Sequence, residues 1–316
     1  MSASFNMRPP KDSPGILFLK SQFCATVQWP PKDTNLEGRV AIITGSTSGL
    51  GLESARQLLS FGLSGLIMAV RSTEKGEQSF SRRADAELSR LDIVILNAGV
   101  QTAYFSIIPG TGHEKLVQVN YPSTMLLGIL LLPILKAKSP SGQPGRLTII
   151  SSGTARGAKI SQPNGATVLS ALDDKSRPWD PVERYAVTKL LGHLFMANLA
   201  QYVSADDVVV NLADPGLVKD TGLQRLAPPL VAAFFYCYKV VLGRTVPVGA
   251  STYVDAVVVK GKESHSCYIA NWEISPFAAF IYLTLEGETV REQLWKETMV
   301  EFEFVEAQRI LEDLKK

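Results

Sequence analysis

The sequence predicts an α/β fold, a doubly wound parallel sheet covered by helices on both faces. Three observations carry this. Short runs that are apolar along their whole length recur down the chain, as strands buried on both faces do. Segments with helical spacing lie between successive runs. The first run ends in a cluster of glycines that opens a helix.

The elements follow in order from Gly38. "RVAIITG", residues 39–45, is β-branched, of strand length and stopped by Gly45. "GLGLESARQLLSFG" has helical spacing, with Leu52, Ala55, Leu58 and Leu59 expected on the buried face and Gly62 as its stop. "LSGLIMAV", "LDIVILNAG", "GRLTIISS" and "DDVVVNLADPG" are the next four strands, and "SHSCYIA" is expected as a last edge strand. Between them run the helical stretches "HEKLVQVNYPSTMLLGILLLPILKA" and "VERYAVTKLLGHLFMANLAQYV". "EGETVREQLWKETMVEFEFVEAQRILEDL" reads as a terminal amphipathic helix with a break.

Composition narrows the class. The chain has 316 residues, 46% hydrophobic and 20% charged, which suits one large domain. With 32 basic and 30 acidic residues and no charge block, nothing points to nucleic acid as a partner. Cys24, Cys237 and Cys267 have no metal-ligand spacing and read as reduced thiols of a cytosolic-type compartment. The N-terminus lacks the apolar core of a secretory signal. Residues 226–243 form the most apolar later stretch, but two prolines and Lys239 interrupt it, so it reads as a buried or membrane-touching helix. The expected organisation is an extension over residues 1–36 and one domain over 37–316.

"TGSTSGLG", residues 44–51, stands between first strand and first helix, the context that makes a glycine cluster a dinucleotide site. Gly45, Gly49 and Gly51 bring bare backbone towards a phosphate, and the helix start offers unpaired N–H groups. After the second strand, where an acidic residue would hold the ribose of NAD, stands Arg71, with Lys75 one turn on. A guanidinium suits a 2′-phosphate, so NADP(H) is the expected cofactor.

"YAVTK" sets Tyr185 and Lys189 four apart on one helical face. A phenol of pKa about 10 needs a nearby cation to act near neutrality, and Lys189 is expected to lower it. A surface Tyr–Lys pair is the bland alternative. Three further features weigh against it: Ser151 and Ser152 end a strand, "NAG" at 97–99 ends another, and Asn120 lies in the helix that follows.

Taken together, Thr44-Gly45-(x)3-Gly49-Leu50-Gly51, Asn97-Ala98-Gly99, Asn120, Ser152, Tyr185-(x)3-Lys189 and Pro215-Gly216 resemble the short-chain dehydrogenase/reductase family, with its Rossmann-type sheet. The likeness runs from about Leu36 to the terminal helix. "AVRSTEKGEQ", the long interval from Ser152 to Tyr185, the arm "FLKSQF" and the tail "EGETVREQLWKE" are most similar to fungal members related to retinol dehydrogenases, many of which serve natural-product (secondary-metabolite) pathways.

The resemblance implies that Tyr185 is the general acid in reduction, that Ser152 polarises the substrate oxygen, that Lys189 grips the ribose, and that Asn120 holds a relay water. It implies cofactor contacts from Thr44, Gly45, Ser48, Gly49, Leu50 and Gly51, from Asn97, Ala98 and Gly99, and from Pro215, Gly216, Val218 and Thr221. Thr221 comes one residue late for the family spacing, with Asp220 in its place. Ser151 is implied to be structural. Residues 217–248 fall where the family places a substrate-covering lid, for which Phe234, Phe235, Tyr236 and Tyr238 supply aromatic rings; a packed helix is the alternative. The family also often pairs through the helices bearing Asn120 and Tyr185.

One interval departs from the pattern. Between "GLIMAV" and "IVILNAG" the family has a helix, a strand and a helix, and here about 30 residues fewer, one strand with its connections, are present. "STEKGEQ" resembles the start of the first helix and "SRRADAELSRLD" the end of the second, as if fused. The third, edge strand is therefore expected to be lacking, leaving the catalytic strands intact beside a damaged adenine pocket.

The expected function is an NADP(H)-dependent carbonyl reductase or alcohol dehydrogenase on a lipophilic small molecule. The alternatives are a cofactor-binding protein impaired by the shortened interval, and a peripheral membrane enzyme. His113, His193 and His265 are scattered without nearby acidic or cysteine companions, so no metal is expected. Asp173, Asp174 and Asp180 read as a solvated loop, and Trp272 and Trp295 as C-terminal packing.

Overall fold

The computed structural model describes residues 2–69, 76–160, 166–224, 229–283 and 285–316. Two short helices, α1 (Ala3–Asn6) and α2 (Pro14–Cys24), precede the sheet. Strands β1 (Val40–Thr44), β2 (Gly65–Ala69), β3 (Ile93–Leu96), β4 (Gly145–Ile150) and β5 (Val208–Asp214) alternate with helices α3 (Gly49–Ser60), α4 (Gly76–Glu87), α5 (Lys115–Asn120), α6 (Pro122–Lys138), α7 (Val168–Asp173) and α8 (Pro181–Leu199). Helices α9 (Pro229–Leu242) and α10 (Val246–Val254) lead to β6 (Cys267–Ala270) and β7 (Glu273–Ser275). The chain closes with α11 (Phe280–Leu283), α12 (Leu285–Glu301) and α13 (Ala307–Leu314).

The seven strands lie in the order β2-β1-β3-β4-β5-β6-β7. The first six are parallel, with Ile42 of β1 facing Ile67 of β2 and Val94 of β3, and Leu212 of β5 facing Tyr268 of β6. The doubly wound α/β expectation is met. β2 forms one edge, and among the described residues no strand lies beyond it, so the third strand expected from the family order is missing.

"SHSCYIA" does not form the edge as expected. β7 covers β6 antiparallel, joined by a two-residue turn in which Asn271 and Trp272 have φ of 56° and 61°. A tryptophan rarely takes that region. Here its indole N–H donates to Ser251 Oγ at 3.1 Å and the Arg244 guanidinium stacks 4.9 Å from its ring, so burial and two polar contacts hold the turn.

The first crossover helix also differs from expectation. Gly51, Ser54, Ala55 and Leu58 face inward, whereas Leu52 and Leu59 are exposed. The buried stripe is rotated by about one helical column, because α3 packs against α10 through its small residues.

The shortened interval is bridged by α4, which packs on α6. Its exit is pinned: Lys138 Nζ donates to Asp85 O and to Leu88 O at 2.7 Å. Arg90 then forks onto Asp92, whose Oδ2 accepts Val40 N–H at 2.9 Å. Helix α4 thus leads the chain back to β3 with its exit held by these side chains.

Tyr121, with φ −123° and ψ −78°, separates α5 from α6, and Pro122 starts the second segment. This pair, Lys115–Lys138, is long and apolar enough to cross a membrane, with mean hydropathy 1.4, but 67% of the apolar stretch is buried against the sheet. It is a core helix. The terminal helix is broken as expected: Glu306, in the left-handed region at φ 56°, divides the short turn after α12 from α13.

Candidate active site

A cavity of about 1630 Å³ opens at the carboxyl ends of β1, β3, β4 and β5. Ordinary ligand pockets span roughly 300–1,000 Å³, so this one has room for a dinucleotide and a second molecule. It brings together Thr44, Gly45, Ser48, Gly49 and Leu50 with Asn97, Ala98 and Gly99. Ser152, Tyr185 and Lys189 line it as well, as do Pro215, Gly216, Val218 and Thr221.

Two of the predicted residues reach the site indirectly. A Cβ on Gly51 would lie 2.5 Å from Asn97 Nδ2 and 2.6 Å from Gly45 O, so Gly51 serves close packing rather than the cavity wall. Asn120 is buried behind the wall: its amide donates to Val100 O and Thr188 Oγ1, and its Oδ1 accepts Val100 N–H. Through these bonds Asn120 holds the strand-end loop against α8. Arg71 and Lys75 lie outside the described residues.

The glycine turn suits a phosphate. Gly45 and Gly49 take φ of 63° and 57°, and a Cβ at Gly49 would meet nothing within 4 Å. Ser48 caps α3 with no side-chain hydrogen bond, so the first N–H groups of a twelve-residue helix remain for an anion. Asn97 holds the turn in place. Its Nδ2 donates to Thr44 O and Gly45 O, its Oδ1 accepts the Tyr253 hydroxyl, and Ala98 N–H donates to Thr44 Oγ1.

Helix α8 carries the Tyr–Lys pair and starts at Asp180, whose carboxylate accepts Val182 and Glu183 N–H. Asp180 is thus a helix cap rather than part of a solvated loop. Tyr185 and Ser152 share the cavity wall, and Ser152 Oγ accepts from Thr154. Lys189 donates to Ile150 O at 2.8 Å and lies 5.7 Å from the Tyr185 ring centre.

Electrostatics correct the expectation that Lys189 lowers the phenol. Burial first, and then the charge of Asp214, push Tyr185 above its ordinary range, against a smaller pull from Ser152. Burial brings Lys189 down to about 8, with Asp214 acting the other way. The ammonium is directed at a carbonyl of β4, so it does not offset the desolvated phenolate. Tyr185 is a held proton, the form a general acid needs.

Asp214 escaped the sequence reading. It is buried on the cavity wall, accepting the Tyr268 hydroxyl at 2.8 Å and Gly216 N–H at 2.9 Å. The one available signal was a carboxylate directly before Pro215-Gly216. Ser151, also on the wall, bonds His193 Nε2 at 2.9 Å, and burial drives that imidazole down to about 3, keeping it neutral.

The late threonine is accommodated. Asp220 takes φ 57°, absorbing the extra residue, and Thr221 returns to the wall, where Lys239 Nζ donates to it at 3.1 Å. Phe234, Phe235 and Tyr238 of α9 line the cavity mouth, but Tyr236 does not and is 64% exposed. Phe18 of α2 stacks on Tyr238 at 6.1 Å, and Gln22 bonds Leu217 and Leu242 backbone, tying the N-terminal arm to this rim. On the opposite side, Glu77 and Phe80 of α4 reach the wall, which periodicity alone did not indicate.

Away from the cavity, His113 is not isolated. Its Nδ1 meets Asp173 at 2.7 Å and its Nε2 meets Glu301 at 3.2 Å, and these carboxylates raise it to about 10. Asp173 also accepts Glu114 N–H, so it belongs to a tertiary staple rather than a solvated loop. Among the described residues no group of three or more metal-ligating side chains converges.

Comparison with known proteins fits this geometry. No family model matches. The short-chain dehydrogenase/reductase mfmJ of Annulohypoxylon moriforme is 46% identical over 326 residues, covering 94% of both chains. The chain belongs to the short-chain dehydrogenase/reductase family. The short chain dehydrogenase virL of Hypocrea virens is 37% identical over 317 residues, covering 90% of this chain and 91% of that one. Since 326 aligned positions span only 94% of a 316-residue chain, about 30 positions have no counterpart here, the size of the shortened interval. Solved structures share the fold. An uncharacterized protein of Mycobacterium paratuberculosis aligns with a TM-score of 0.59 at 21% identity over 88% of this chain and 98% of its own. The aldohexose dehydrogenase of Thermoplasma acidophilum aligns at 0.55 and 13% over 76% and 95%.

Proposed function

We propose that the protein is an NADP(H)-dependent reductase of a ketone or aldehyde, or the reverse alcohol dehydrogenase, acting on a lipophilic small molecule of fungal secondary metabolism. The observation that carries this is the half-buried Tyr185 phenol, four residues from Lys189 and sharing with Ser152 the wall of a cavity that also holds the glycine turn. The bound dinucleotide supplies the hydride.

The chain's own residues do the rest. Ser152 Oγ–H donates to the carbonyl oxygen and orients it. Tyr185 passes its hydroxyl proton to that oxygen as charge develops there. Lys189 keeps Tyr185 and the end of β4 in register through Ile150 and presents its remaining protons to the ribose. The turn at Ser48–Gly51 takes the pyrophosphate, and Pro215, Gly216, Val218 and Thr221 face the nicotinamide end.

Two observations bear on the finer choices. The rings of Phe234, Phe235 and Tyr238 at the rim favour an apolar substrate. Arg71, directly after β2, favours a 2′-phosphate on sequence grounds. The test is NADPH oxidation against a panel of ketones with wild type and Tyr185→Phe. Turnover should fall by roughly 10²–10⁴-fold while NADPH binding, followed by fluorescence, persists. Unchanged turnover in Tyr185→Phe would remove the mechanism. Coenzyme binding without any turnover in wild type would favour the impaired cofactor-binding reading.

A further inference from the structure

Arg156 lines the same cavity, four residues after Ser152 on the short 3₁₀ turn Gly153–Gly157. Its Nε is closed off from solvent and has no hydrogen-bond partner among the described residues. Three other charged groups on the wall are engaged, Lys189 with Ile150 O, Lys239 with Thr221, and Asp214 with the Tyr268 hydroxyl and Gly216 N–H, while Glu77 and Lys115 also line it. Because Asp214 is satisfied by those two donors, it does not need Arg156.

The guanidinium is nevertheless fixed. It lies 4.9 Å from the centre of the Tyr268 ring, which is fully buried and tethered through its hydroxyl to Asp214. The turn that carries it packs against α2 of the N-terminal arm. A guanidinium on the wall of a mostly apolar cavity, with no acidic partner among the described residues, is a receptor for negative charge.

We propose that Arg156 binds an anionic oxygen of the substrate, that of a carboxylate or of an ionised enol or phenol. This rests on the cavity being the substrate site of the reductase read above. It narrows the substrate from lipophilic to lipophilic and acidic. Asp214 sharpens the requirement, because an anion placed here without Arg156 would face its carboxylate.

The test measures binding rather than turnover, so it stands apart from whether any ketone is reduced. The probes are two matched pairs: 2-naphthoate with 2-naphthamide, and a nitrophenol ionised at pH 8 with its methyl ether. Each is titrated by calorimetry into the full chain, with and without NADPH. In wild type at least one anion should bind roughly tenfold or more tighter than its neutral partner. Arg156→Met should abolish or invert that preference while leaving the neutral probe unchanged, and Arg156→Lys should keep part of it. A preference in the naphthoate pair alone identifies a carboxylate, and in the phenol pair alone an enolate-like oxygen. The proposal fails if wild type prefers neither anion, or if the preference survives in Arg156→Met. Equal neutral-probe affinity in both variants shows that the cavity is intact. A reductase that turns over ketones yet lacks the anion preference would overturn this inference and leave the reductase reading standing.

Discussion

The two flanks of the sheet have been treated differently. On the β4–β5–α8 side, every residue of β5 is buried, and Asn120, Ser152, Lys189 and Asp214 are held by bonds to the backbone of other elements. On the β2–α4 side, the strand is half-exposed, Met68 is 39% exposed, and one helix does the work of two helices and a strand. The difference teaches that the strands carrying the candidate catalytic residues stay buried while the edge beside β2 is reduced. An edge strand can be lost because its burial supports only its neighbour, whereas a central strand supports both faces.

The comparison can be broken first at the coenzyme. If the catalytic flank is whole and the edge flank reduced, NADPH should bind at least tenfold more weakly than ordinary micromolar coenzyme binding. Phe80→Ala, removing a ring that α4 brings to the wall, should weaken it several-fold further. Fluorescence titration measures both, and micromolar affinity in wild type would show that α4 replaces the missing strand fully.

A smaller effect tests the catalytic flank. Asp214 raises Tyr185, so Asp214→Asn should let the phenol ionise at lower pH. The rise of alcohol oxidation with pH should then begin earlier than in wild type, and an unmoved profile would mean that the phenol does not sense this carboxylate. The smallest effect lies outside both flanks. His113, raised to about 10 by Asp173 and then Glu301, binds its proton more tightly folded than unfolded, where its pKa is about 6.5. Its contribution is complete below about pH 6.5 and fades as pH climbs towards 10. Wild type should therefore melt a few degrees above His113→Gln at pH 6, with the gap closing by pH 10 in calorimetric scans. A gap independent of pH would assign the histidine to packing alone.

The sequence determined the succession of strands and helices, the glycine turn and the Tyr185–Lys189 spacing, because strand and helix periods and turn chemistry act over a few residues, and the family resemblance marked the shortened interval. It also put almost every predicted site residue on one cavity wall. Only the tertiary structure decided the rest. It showed that the Tyr185 phenol is raised rather than lowered, that Asn120 braces a loop, that Leu52 and Leu59 face outward, and that β7 rather than β6 closes the sheet. These outcomes depend on burial and on partners tens to hundreds of residues away, such as Asp214 for Tyr268 or Glu301 for His113. Local spacing carries no record of such meetings, since desolvation and charge are set by what the folded chain packs around each group.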